Sequence, residues 1–85
     1  MSKHSKTLDQ VLRGSSDANV DFNDLRGLLD ALGFRERIRG SHHIFTRDGI
    51  AEIINLQPAG SKAKTYQVRQ VRRLIVKYNM GGSDV

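Results

Sequence analysis

Apolar positions recur at helical spacing near both ends of the chain and at every second position between them, and the change of period marks the elements. Thr7 stands three residues before Gln10 in capping-box spacing, which predicts a short helix over Thr7–Leu12 that Gly14-Ser15-Ser16 stops. A stronger helix follows. Phe22, Leu25, Leu28, Leu29 and Leu32 trace one face, with Asp21 as N-cap, Val20 placed to pack on Leu25 across it, and Gly33 at the C-terminal cap.

At Phe34 the period falls to two. Phe34, Glu36 and Ile38 alternate with Arg35, Arg37 and Arg39, so a strand here sets three guanidinium groups on one face. Gly40-Ser41 is a turn, His42–Arg47 a second strand, Asp48-Gly49 a tight hairpin and Ile50–Leu56 a third strand, giving an antiparallel meander. Gln57–Lys64 holds the one proline and reads as a loop. Tyr66, Val68, Val71, Leu74, Ile75 and Tyr78 then form a helical stripe, with Arg69, Arg72, Arg73 and Lys77 mainly on the other side and Gly81-Gly82 as its end. The predicted class is α+β: a three-stranded antiparallel sheet with two helices on one face, plus a short N-terminal helix. The order α-β-β-β-α is that of the double-stranded-RNA-binding domain, but fold order alone warrants no function. Residues 1–19 read as an N-terminal extension, 20–80 as the domain and 81–85 as a loose tail.

Composition narrows the partners. Fourteen Lys and Arg against nine Asp and Glu leave a formal charge of +5, which favours a polyanion or an acidic protein. The 85 residues contain no cysteine, so neither disulfides nor thiolate-held zinc can support the fold. A chain this short buries only roughly 60–65% of its unfolded surface, leaving little room for a deep pocket. No apolar run approaches the roughly 20 residues of a membrane span, and Met1–Thr7 lacks a signal-peptide core, so a cytoplasmic protein with no membrane contact is expected.

The adjacent histidines of Arg39-Gly40-Ser41-His42-His43-Ile44-Phe45 pose a sharper question. Neighbours on a strand point to opposite faces, so the two must do different jobs. His43 shares a face with Phe45, and His42 with Ile44 and Thr46. Their adjacency is wrong for chelating one zinc, and no phosphate-cradling glycine loop or metal motif is present.

The run from Asp21 to Tyr78, with "LLDALGF" leading into "RIRGSHHIFTRDG", then "IINLQP" and "YQVRQVRRLIVKY", resembles the HicA toxins of bacterial type II toxin-antitoxin systems. The resemblance covers about two-thirds of the chain. It implies a fold like the double-stranded-RNA-binding domain, a metal- and cofactor-independent endoribonuclease acting on mRNA, and neutralisation by a HicB-like antitoxin. The family's catalytic histidine follows Gly-Ser at the start of the second strand, which is His42 here; some members carry it one position later, leaving His43 as the alternative. Many members also have a histidine after the third strand, where this chain reads Asn55-Leu56-Gln57-Pro58, and the last helix starts with "KAKTYQVRQV" in place of the usual glycine-threonine.

RNA cleavage needs the 2′-hydroxyl proton removed, the phosphorane charge stabilised and the 5′-oxygen protonated. A histidine, ordinarily titrating near pH 6.5, suits the proton transfers. Arg35, Arg37 and Arg39 are candidate phosphate ligands, one strand away from His42, although the same trio fits a solvated sheet face. Lys62, Lys64 and Arg69 are candidate RNA contacts near the last helix, with Arg72 and Arg73 beside them; some of these would serve solubility or an acidic antitoxin surface. Two other readings stand beside the ribonuclease: a non-catalytic RNA-binding module, favoured if His42 is buried, and a protein-interaction module whose basic face meets an acidic partner.

Overall fold

The computed structural model describes residues 3–81. They form α1 (Lys3–Arg13), a 3-10 turn (Asp17–Asn19), α2 (Phe22–Ala31), β1 (Arg35–Arg39), β2 (His42–Arg47), β3 (Ile50–Leu56), β4 (Pro58–Ala59), β5 (Lys62–Ala63) and α3 (Thr65–Lys77). This is a small α+β protein with a three-stranded antiparallel sheet in the order β1-β2-β3.

α2 starts and stops as its sequence dictates. The Asp21 carboxylate accepts a hydrogen bond from Asp24 N at 3.0 Å, satisfying one of the first-turn donors. At the other end Gly33 N donates to Asp30 O and Phe34 N to Leu29 O, each at 3.0 Å, the paired bonds of a Schellman motif. Gly33 adopts φ +93°, which the motif requires and which turns Phe34 back into the core. α3 ends by the same motif two residues before Gly81-Gly82: Asn79 takes φ +54° and Met80 N reaches Ile75 O at 2.8 Å. Of the tail expected over 81–85, all but Gly81 lies outside the described residues.

α1 departs from its expected start. It begins at Lys3, so Thr7 is inside the helix and buried, and its hydroxyl donates to Lys3 O at 3.2 Å; it caps nothing. Leu8 and Val11 join the same core as Val20, Leu25, Leu28, Leu29, Val68, Val71 and Ile75. α1, within the stretch expected as an N-terminal extension over 1–19, thus contributes to the core. Arg72, expected on the solvent side of α3, ties this segment down: its guanidinium donates to Val11 O at 3.1 Å and to both Asp17 carboxylate oxygens at 2.9 and 3.2 Å. Tyr66, placed in the apolar stripe by spacing, is 55% exposed at the first turn of α3, while Gln67 beside it is buried.

The stretch read as a loop, 57–64, is a small hairpin in which Pro58 pairs with Ala63 and Ala59 with Lys62. β5 then runs beside the entry to α2, with Ala63 N on Val20 O and Phe22 N on Ser61 O, both at 2.9 Å. Its second partner is thus forty residues away in sequence, beyond the reach of a local pattern.

In the main sheet Glu36 opposes Phe45, Ile38 opposes His43 and Arg39 opposes His42, and on the other side Phe45 opposes Ile54 and His43 opposes Leu56. Phe45, Ile54 and Leu56 point to the helices and are buried. Arg35, Arg37, Arg39, His42, Ile53 and Asn55 lie on the opposite, uncovered face and are exposed. Among the described residues, no helix is long and apolar enough to cross a membrane.

Candidate functional site

Strand alternation separates the two histidines. His43 faces the helices; its side chain is only 13% exposed, its ring meets Phe22 edge-on with centroids 4.9 Å apart, and its Nδ1 donates to Glu36 Oε2 at 2.7 Å. Glu36 also receives two bonds from Arg26, at 2.7 and 3.1 Å, and the guanidinium, followed by His43, holds its carboxyl below the usual carboxylate range. His43 is thus packed on Phe22 and hydrogen-bonded to the Glu36 of the Arg26–Glu36 ion pair. His42 is exposed on the open face at the very start of β2.

His42 sits at a corner where three connections meet: the β1–β2 turn, the joint from β3 into β4, and the start of α3. Its Nδ1 is 3.2 Å from Asn55 Oδ1 and its Nε2 is 3.3 Å from Gln57 Nε2. The Gln57 amide also donates to Ser41 Oγ at 3.2 Å and accepts from Lys64 Nζ at 3.5 Å. Behind them, Gln67 of α3 is 1% exposed, and with its amide oriented to match, it donates to Gln57 O at 3.1 Å and accepts from Gln57 N at 2.9 Å. A buried side chain thus fixes the backbone that carries Gln57.

The basic candidates divide between two surfaces. Arg39 is directly across from His42 and Arg37 across from Ile44, both on the open face and, among the described residues, in no ion pair. Arg35 is farther along the strand and bonds Asp48 at 2.9 Å. Lys64 reaches the corner through Gln57, and Lys62 is exposed on β5 two residues before it. Arg69 does not join them. It lines a shallow cavity of about 380 Å³ on the outer side of α3 with Arg72, Arg73 and Val76.

Asn55, Gln57 and Gln67 were not among the sequence candidates. Asn55 had a signal, since it falls between Ile54 and Leu56 and so must face away from the core. Gln67 had one as well, lying four residues before Val71 on the buried side of α3. Among the described residues, no group of three or more His, Asp or Glu side chains is gathered to hold a metal ion. Compared with models of known protein families, with curated proteins and with solved structures, the chain gives no match.

Proposed function

We propose that this chain is an endoribonuclease of the HicA type, cutting mRNA with His42 as its acid-base residue and held in check by an acidic, HicB-like antitoxin. The observation that carries the reading is the placement of His42: exposed, oriented by Asn55, and set in a corner with Arg39 across the strand pair and Lys64 beyond Gln57. In the reaction, His42 Nε2 takes the 2′-hydroxyl proton as O2′ bonds to phosphorus; the P–O5′ bond breaks and the 5′-oxygen takes a proton from water or from the imidazolium. Arg39 and Lys64 offset the charge that builds on the non-bridging oxygens. The uncovered sheet face, with Arg37 and Arg39 in no ion pair among the described residues, supports a polyanion such as RNA as its ligand. Exposure of His42 also removes the condition that would have favoured a purely binding module.

The test is incubation of the purified, antitoxin-free protein with labelled single-stranded RNA in the presence of a chelator. The expected products carry 2′,3′-cyclic phosphate ends, and the same strand with 2′-deoxy sugars stays whole. RNA that is bound but never cut would contradict the reading.

A further inference from the structure

The contacts around His42 form a chain whose donor and acceptor roles are fixed from one end. Lys64 Nζ can only donate, so the Gln57 atom facing it is the carbonyl oxygen and the other, toward His42, is the NH2. An amide NH2 can only donate in turn, so His42 Nε2 must offer a lone pair. A neutral imidazole has one donor and one acceptor nitrogen, which leaves the proton on Nδ1 and requires Asn55 to present its oxygen there, as it does at 3.2 Å.

We infer that Asn55 is the positioning residue of this site and Gln57 its cap, the two holding neutral His42 with its proton on Nδ1 and its lone pair on Nε2, the nitrogen that would accept the 2′-hydroxyl proton. The inference rests on the ribonuclease reading for its chemical meaning, but not for its geometry. Both brackets have fixed roots: Asn55 is flanked by Ile54 and Leu56, each 0% exposed, and the Gln57 backbone is clamped by buried Gln67. The ends lie nearer solvent than their roots, Asn55 being exposed and Gln57 half-buried, and the Gln57 amide is held by the side chains of Ser41, His42 and Lys64 alone among the described residues. In the free protein the Gln57 amide occupies the position that the 2′-hydroxyl must take. An incoming phosphate that draws Lys64 away from Gln57 Oε1 releases the amide, so substrate binding itself uncovers the base.

The experiment is nitrogen-15 NMR of the His42 ring in the full chain, at about two pH units above the ordinary histidine range, read beside single-turnover cleavage of labelled RNA. The wild type is expected to show the Nδ1–H tautomer. Asn55→Ala is expected to populate the Nε2–H form and to slow cleavage roughly 10- to 100-fold, with the backbone amide spectrum otherwise preserved. An Nε2–H ring in the wild type, or a tautomer that Asn55→Ala leaves unchanged, would overturn the inference, and a wild type that still cuts RNA would then leave the ribonuclease reading in place. A tautomer that shifts as expected, in a protein that never cuts RNA, would sustain the bracket and remove the ribonuclease reading instead.

Discussion

At the scale of single residues, alternation does most of the work. One step along β2 carries a side chain from the hydrogen bond with Glu36 beside Phe22 to the open corner. The sequence requires the two neighbours to face opposite ways, but with Ile44 and Phe45 both apolar it does not say which histidine faces the core. The partners of His42 are less legible, because each comes from a different connection. Gln67 is the clearest structural test among them. Truncation to Ala leaves the Gln57 backbone N–H and C=O without their buried partner, so urea denaturation of Gln67→Ala should show a loss of about 2 kcal/mol. Glu52 gives a pH signature. Lys77 foremost and then the Tyr78 hydroxyl hold its carboxyl at about 2, against an ordinary 4.5. A lowered folded value means the stabilisation is complete above about pH 4.5 and lost as the pH falls toward 2. Thermal denaturation of Glu52→Gln should therefore vary less steeply than the wild type across that window; parallel curves would refute the contact.

Elements were legible where their signals are local. Asp21, Gly33 and the Asp48-Gly49 turn announce themselves by residue type, and the structure uses each as its chemistry suggests. Gly33→Ala places a Cβ at φ +93° and should cost about 1–2 kcal/mol by the same denaturation measurement. What the pattern did not reveal needs a distant partner or an irregularity. The β4–β5 hairpin depends on bonds to Val20 and Phe22. The register of β2 against β3 shifts between Phe45 and Arg47: Arg47 opposes Ile50, but Phe45 opposes Ile54. Without that bulge His42 would stand directly opposite Asn55. With it, the ring lies between Asn55 and Gln57 and can touch both.

At the scale of the whole molecule, the +5 charge resolves into distinct surfaces. Six Lys or Arg side chains are paired with carboxylates among the described residues: Lys3, Arg13, Arg26, Arg35, Arg72 and Lys77. Among the others, Arg37 and Arg39 lie on the open face, Lys62 and Lys64 near the His42 corner, and Arg69 and Arg73 on the outer side of α3. If RNA lies on the open face, removing Arg37 and Arg39 together should reduce the salt dependence of RNA affinity, log K against log salt, by about 1.4, at roughly 0.7 per phosphate contact on a single strand. Removing Arg69 and Arg73 should leave that slope unchanged and weaken binding of an acidic protein partner. Equal effects on RNA from both pairs would count against two separate surfaces.

The claim that joins these scales is that two neighbouring histidines have separate tasks, one chemical and one structural. It is tested most directly by cleavage of one labelled RNA by wild type, His42→Ala and His43→Ala, each with its folding confirmed and its RNA affinity measured. The account predicts that His42→Ala binds RNA but no longer cuts it, while His43→Ala loses stability and still cuts. Cleavage that survives in His42→Ala, or that disappears only in a folded His43→Ala, would contradict it.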